Sequence, residues 1–460
     1  MDLSELLKQR VLSGEWTKGQ RLPSVRKMAL DRGVSHHAVV CAYARLVSEG
    51  LIEAQQGRGY FVSNWIGFRD KPLSLSTSMA GNDEPLLKLL QAPPEQFKLG
   101  CGWLPIPWRD TDVFARAIRK VARSGQSALF EYGDIQGYLP LRNQLSVHLY
   151  KSTQIDISPN QILTTLGATQ ALDLASHLLI KPGDRVLVDE PCNANLIKLI
   201  HLYGGVPIGV PRVSDGPDVA VLDRLLQSHK IKAFYCNTNY HNPTGACLTP
   251  QVAFKVLKRA VEHDFIIVED DVYGDFFAGP RQTFAQLDDM EHVIYINSFS
   301  KSLSASLRIG YMACSARLIE QLLRLKLLTS VAVPGFCERF VNAILVDGAY
   351  SRHIQTIQRQ LMVRQKLTQK SLKKYGWEFE IEPDGGMFLW ISHPDFPDLS
   401  PYLQYLEKEG ILLMPGSAFS VAHRFECFAR LNVAHFTREV SPFFDTRGVK
   451  GVSPTHLGER

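Results

Sequence analysis

Lys301 stands in NSFSKSLSASLRIGY, with Ser298 and Ser300 before it and Arg308 seven residues after it. A lone lysine is usually a surface cation. A lysine that forms an imine needs more: a neutral amine, and a site that also grips an anion. Two hydroxyls and a forked guanidinium supply that grip. LTTLGATQALDLASHLL adds a second anion feature, a strand followed by Gly167, Ala168 and Thr169 opening a helix whose free amides face outward. Standing alone, that glycine is an ordinary strand-to-helix turn. NYHNPTG puts Asn242, Pro243 and Gly245 in a loop after the apolar run KAFYCN, and IIVEDDVYGDF puts Asp270, Asp271 and Tyr273 at a strand end. Each has a plain alternative, since N-P-x-G is turn chemistry and a terminal carboxylate is also a helix cap. The weight lies in the combination.

The elements that must position these groups alternate from Lys98 onward. QILTTLG precedes ALDLASHLLI, DRVLVDE precedes NLIKLIHLYG, and KAFYCN, DFIIVED and HVIYINS follow. Short buried-type strands between amphipathic helices imply an α/β fold with a largely parallel sheet, whose chemistry sits at strand ends.

The amino-terminal part is different. Leu3, Leu6, Leu7 and Val11 form a helical stripe, Ser24 opens a second helix that Gly33 ends, and Ser35 caps a third. In the third helix Val39, Ala42 and Leu46 face one way while His36, His37, Val40 and Arg45 face another. LIEA and YFV, joined by QQGRG, read as a hairpin. Up to residue 64 there are nine Lys or Arg against six acids, a net +3. Two helices joined by a glycine turn and followed by a hairpin describe a winged helix-turn-helix. A small protein-interaction module has the same periodicity.

Length and composition bound the rest. The chain of 460 residues suggests two or three domains, and its net charge of +5, 45% hydrophobic and 21% charged residues exclude a disordered or collagen-like chain. No apolar run reaches the ~18 residues of a membrane helix and the start lacks a secretory core, so no membrane partner and a cytoplasmic location are expected. The eight cysteines are scattered without a C-x-x-C pair, so neither disulfides nor a metal site is expected. The expected boundaries are 1–64 for the first domain, 65–97 for a linker whose DEPLLKLLQ forms a short docking helix, 98–436 for the α/β domain and 437–460 for a tail.

LPSVRKMALDRGVSHHAVVCAYARLVSEGLIEAQQGRGYFV closely resembles the DNA-binding domain of GntR-family regulators, with LPS-x-R, G-V-S, L-x-x-x-G-L and the G-R-G wing in order. The resemblance implies DNA contacts from Arg26, from Ser35, His36 and His37 at the start of the recognition helix, and from Arg58 on the wing. Many relatives carry arginine, or asparagine with threonine, where this chain has His36, His37 and Ala38. A neutral histidine makes one hydrogen bond and lacks arginine's bidentate grip on guanine, so the resemblance carries over the binding mode but not the operator preference.

Asn242, Asp270, Tyr273, Lys301 and Arg308, with the spacings D-x-x-Y and S-x-S-K-x(6)-R, resemble fold-type-I pyridoxal-phosphate enzymes of the aminotransferase class. The resemblance implies pyridoxal 5'-phosphate as cofactor and Lys301 as the Schiff-base lysine. Asp270, three residues before Tyr273, would face the pyridine nitrogen, and Asn242 and Tyr273 the ring hydroxyl oxygen. Ala168, Thr169, Ser298, Ser300 and Arg308 would hold the phosphate. EYGDIQGYLPLR resembles the segment whose tyrosine reaches the neighbouring subunit's phosphate, which makes Tyr132 imply a homodimer. FARLNVA places Arg430 where relatives clamp a substrate carboxylate, although an arginine there also closes strand edges.

The whole arrangement, from the first helix to about Ala434, resembles the MocR-type branch of the GntR family. It implies a regulator that binds double-stranded operator DNA and senses the cofactor, or an amino acid or amine effector, through an aldimine at Lys301. The competing reading is a working aminotransferase with an accessory DNA-binding domain. Three departures bear on that choice. Asn193 stands where relatives have a Tyr or Phe stacked on the cofactor ring, a contact worth ~1 kcal/mol. Ala305 or Ser306 replaces a usual proline. The tail lacks an amphipathic closing helix, so the small subdomain is expected to be incompletely covered. Each weakens turnover more than cofactor binding.

Overall fold

The computed structural model describes residues 3–64, 85–123, 130–422 and 424–448. The chain forms two compact units that meet in sequence between Glu84 and Pro85. In the first, helices Leu3–Leu12, Val25–Arg32 and His36–Ser48 precede a hairpin of β1 (Ile52–Gln55) and β2 (Gly59–Val62). Local chemistry sets the boundaries. Ser24 accepts the Lys27 amide at 3.3 Å and Ser35 the Ala38 amide at 3.1 Å, satisfying helix-start donors. Between them Gly33, at φ +63°, is the left-handed residue that ends the second helix. Leu7, Val11, Met28, Val39, Tyr43, Leu46, Ile52 and Val62 close one core, and the buried Tyr43 hydroxyl donates to the Pro23 carbonyl at 2.8 Å.

The second unit is built on an eight-stranded sheet. Its strands are β3 (Ile162–Thr165), β4 (Arg185–Glu190), β5 (Val206–Val213), β6 (Gly216–Pro217), β7 (Ile231–Asn237), β8 (Ile266–Asp270), β9 (Val293–Ser298) and β10 (Gly310–Ala313), in the order β3-β10-β9-β8-β7-β4-β5-β6. The five central strands β9, β8, β7, β4 and β5 are parallel, while β10 runs antiparallel between β3 and β9. Strand residues alternate between the two faces. Ile294 and Ile296 enter one core cluster, with the helix Gly167–Leu179, and Val293 and Tyr295 enter the other.

A smaller antiparallel sheet follows, β11 (Glu378–Phe379), β12 (Phe388–Ser392), β13 (Met414–Pro415) and β14 (Phe428–Asn432), in the order β11-β12-β14-β13. The docking helix spans Pro85–Gln91 and buries Leu89 against Trp390, Leu412, Met414 and Phe419. Further on, Phe97 pairs with Ile411, and the Gly100 amide donates to the Leu412 carbonyl at 2.7 Å. A Cβ on Gly100 would lie 2.5 Å from the Met414 nitrogen, so only glycine allows this approach. All eight cysteines are free, and no helix among the described residues is long and apolar enough to cross a membrane.

The tail departs from the expectation of an uncovered subdomain. No closing helix forms among its described residues, but two one-turn 3-10 segments, Ser441–Phe444 and Thr446–Gly448, take its place. Val440 and Phe444 are fully buried, the Trp377 indole donates to the Phe444 carbonyl at 3.0 Å, and the Tyr402 hydroxyl donates to the Phe443 carbonyl at 2.6 Å. Single anchoring side chains do the covering, and they leave no periodic stripe to read. Phe444→Ala is expected to cost about 3–5 kcal/mol and to lower the melting temperature, as followed by circular dichroism; an unchanged midpoint would show the tail to be dispensable.

Candidate functional site

Because parallel strands end on one edge, loops leaving that edge converge. Asn237 ends β7, Asp270 ends β8 and Ser298 ends β9, and the helix begun by Gly167 follows β3. Together they enclose a cavity of about 210 Å³, far above the roughly 10–15 Å³ that one ordered water needs. Ala168, Thr169, Asn242, Asp270, Tyr273, Ser298, Ser300, Lys301, Arg308 and Arg430 all line it.

Lys301 lies on the single turn Phe299–Ser302 directly after β9, and its Nζ donates to the Gly102 carbonyl at 2.9 Å. Burial, with Arg430 nearby, pushes its ammonium down to about 8, so a neutral amine is within reach near pH 7. Asp270 accepts the Val272 amide at 3.1 Å, and burial pushes its carboxyl up to about 6. At pH 7 it is a buried anion suited to a cationic partner. Asp271 points away from the cavity, into Arg281 and the Tyr295 hydroxyl, each at 2.7 Å.

The anion cradle is built from both ends of the motif. The Ser298 hydroxyl accepts the Ser300 amide at 3.1 Å and donates to the Ile309 carbonyl at 3.0 Å, which fixes the turn. Arg308 adopts φ +49° and donates to the Leu166 carbonyl at 2.9 Å, beside the start of the helix Gly167–Leu179. A Cβ on Gly167 would fall 3.1 Å from that guanidinium, tighter than a side chain tolerates without displacing it. Helix amides, hydroxyls and a guanidinium thus face one corner. A desolvated amine, a buried carboxylate and this corner are the set of groups that pyridoxal phosphate requires.

Arg430 lies on β14, between the rings of Phe388 and Phe419 at 4.6 and 4.9 Å. It donates to Asn242 Oδ1 at 2.6 Å and to the Gly100 carbonyl, and its buried Nε has no partner among the described residues. Asn193 lines the cavity and caps its own helix, accepting the Asn195 amide at 3.1 Å, so no aromatic ring occupies that position. Tyr132 is not among the cavity residues; it is 89% exposed.

Three supports were not singled out by residue type or spacing, although one of them lies inside a motif that was. Asn237 accepts the Asn242 amide at 2.7 Å and donates to the Asp270 carbonyl at 2.6 Å, tying two site residues together. Asn432 donates to the carbonyls of Cys101 and Trp103, both at 3.0 Å, and so holds the segment whose Gly102 faces Lys301. His241 is buried, 3.5 Å from Asp189, and burial keeps its ring well below the usual histidine range and therefore neutral. It sits next to Asn242 in NYHNPTG, the one place where sequence pointed.

In the first unit, Arg26, Ser35, His36, His37 and Arg58 are all exposed. The two histidines open the third helix directly after its cap, and the Arg58 guanidinium lies 5.9 Å from the Phe61 ring centre at the hairpin turn.

Residues 2–62 match the bacterial regulatory proteins of the gntR family, and residues 94–442 match aminotransferase class I and II. The HTH-type transcriptional regulator YdfD of Bacillus subtilis is 30% identical over 90% of this chain and 88% of its own. The 2-aminoadipate transaminase of Thermus thermophilus is 28% identical over 80% of this chain and 95% of its own. Among solved structures, the Pyrococcus horikoshii kynurenine aminotransferase, in complex with PMP, superposes with a TM-score of 0.72 at 27% identity, covering 78% of this chain and 91% of that one. The chain therefore belongs to the MocR-type branch of the GntR family, in which a winged helix-turn-helix precedes a fold-type-I aminotransferase domain.

Proposed function

We propose that the protein is a cytoplasmic, homodimeric transcriptional regulator that binds operator DNA and holds pyridoxal phosphate at Lys301, where an amino acid or amine effector is read. The observation that carries the proposal is one chain joining a complete winged helix-turn-helix to a cavity that gathers Lys301, Asp270 and an anion cradle. The bound cofactor supplies an electrophilic carbon and an electron-withdrawing ring. The protein supplies the rest. Lys301 offers its neutral amine, and Asp270 keeps a positive charge on the ring nitrogen. Asn242 and Tyr273 face the ring oxygen. Ala168, Thr169, Ser298, Ser300 and Arg308 grip the phosphate, and Arg430 takes an effector carboxylate. Tyr132 serves the partner's site. Its exposure supports that role, as does the anchoring of its segment by Glu338, which accepts the Tyr138 amide at 3.1 Å, and by Lys326, which donates to the Ile135 carbonyl.

A working aminotransferase is the second reading, favoured by Lys301, Asp270 and Arg430 lining one cavity. Asn193 weighs against efficient turnover, because no ring stacks from that side.

Fluorescence anisotropy of the cofactor-loaded protein on DNA from its own upstream region, against scrambled DNA at fixed salt, tests the choice. A preference of ~100-fold or more establishes the regulator, because nonspecific electrostatics cannot give that ratio. Weak, sequence-blind binding leaves the transaminase reading ahead. Arg58→Ala is expected to weaken binding to all sequences and to reduce the slope of log affinity against log salt by ~1. An unchanged slope removes the wing from the interface.

A further inference from the structure

The cavity has a second half. Leu86, Trp103, Met414 and Phe419 line it from the side of the small sheet and belong to one apolar cluster, built over the buried Leu89. Arg430 borders this wall, its guanidinium 4.9 Å from the Phe419 ring centre. Among the described residues that line the cavity, the cations are Lys301, Arg308 and Arg430. With Lys301 and Arg308 committed to the cofactor, Arg430 is left for one carboxylate, and the surface beside it is apolar.

We infer that the ligand read at this site is an α-amino acid with an apolar side chain, its carboxylate on Arg430 and its side chain against the wall of Leu86, Trp103, Met414 and Phe419. The inference deepens the proposed function and rests on cofactor being held at Lys301. A second carboxylate or an ammonium pressed on this wall would be desolvated without a counter-charge, which is strongly unfavourable. Leu86 is the specificity residue to test. It is half-buried on the helix Pro85–Gln91, the first element after the stretch that joins the two units in sequence. It faces the cavity while Leu89, three residues on, anchors the same helix in the cluster.

The test uses the full-length, cofactor-loaded protein and follows its visible absorbance during titration with L-leucine, L-phenylalanine, L-aspartate, L-glutamate and phenethylamine. Half-saturation by leucine or phenylalanine is expected at concentrations at least ~10-fold below those for the two acidic amino acids. Phenethylamine, which lacks the carboxylate, is expected to be weaker than phenylalanine by a similar factor. Leu86→Arg is expected to keep the cofactor absorbance and to narrow or reverse the preference over aspartate and glutamate. Equal or tighter binding of the acidic amino acids overturns the inference, and so does Leu86→Arg with its preference unaltered. Should that variant fail to fold, the wild-type series decides alone. A coloured protein that no amino compound perturbs refutes the ligand class while leaving Lys301 as cofactor anchor; a colourless one refutes both.

Discussion

Lys301→Ala is expected to give a folded protein that shows no visible absorbance after incubation with pyridoxal phosphate, where the wild type turns yellow. In the cofactor-free protein the amine has the Gly102 carbonyl as its hydrogen-bond partner, and its pKa is pushed down to about 8 by burial. A group so placed costs stability when charged. Its folded pKa lies below its unfolded value of 10.5, so the penalty is fully present below pH 8 and fades as pH rises from 8 to 10.5. Cofactor-free Lys301→Met should therefore exceed the cofactor-free wild type in stability at pH 7 by up to about 3 kcal/mol. That gain is reduced by whatever Asp270 loses with its cationic neighbour. Urea unfolding at pH 7, 9 and 10.5 should show the advantage shrinking along the series. An unchanged yellow Lys301→Ala protein would refute the assignment of the anchor.

How much of this was legible in the sequence depends on the range of the interaction. Helix limits in the first unit follow from contacts within three or four residues, and Ser24, Gly33 and Ser35 announce them by type. The strand leading to the Asn242 loop and the strands carrying Asp270 and Ser298 were readable as short apolar runs, and once they lie parallel their ends must converge. The grip of Asn432 on Cys101 and Trp103 spans 331 and 329 residues, and nothing near Asn432 marks it. Leu86 read as one apolar residue in a docking helix, because its place in the cavity depends on how that helix packs against Trp390 and Phe419. Phe444 escaped for a related reason: one anchoring ring in a 3-10 turn has no period. Tyr132 stood out by its motif alone, and its surroundings in this chain are solvent.

Asp270→Asn and Asp271→Asn, neighbouring and chemically identical changes, should fail in opposite ways. Asp270 is a buried carboxylate pushed up to about 6, a carboxyl whose ionised form is disfavoured in the fold. Its native pKa exceeds the unfolded value of 3.8, so ionisation penalises the native state above about pH 6, and the penalty disappears as pH falls toward 4. Cofactor-free Asp270→Asn should thus be as stable as the wild type or more so at pH 7, with the gap closing in acid. It should nevertheless bind pyridoxal phosphate roughly 10- to 100-fold more weakly, the loss of one charge-assisted hydrogen bond. Asp271 instead sits in a buried network, 2.7 Å from Arg281, which also reaches Asp275 at 3.2 Å. Its neutralisation leaves the Arg281 guanidinium buried against one carboxylate instead of two, and breaking such a pair costs about 3–5 kcal/mol. Asp271→Asn should therefore lower the urea midpoint with or without cofactor, while any folded fraction still colours. The two variants, compared by urea unfolding and by cofactor titration, separate the carboxylate proposed to face the cofactor from the one that holds the strand end. If Asp271→Asn lost cofactor at unchanged stability, the assignment of the two residues would have to be exchanged.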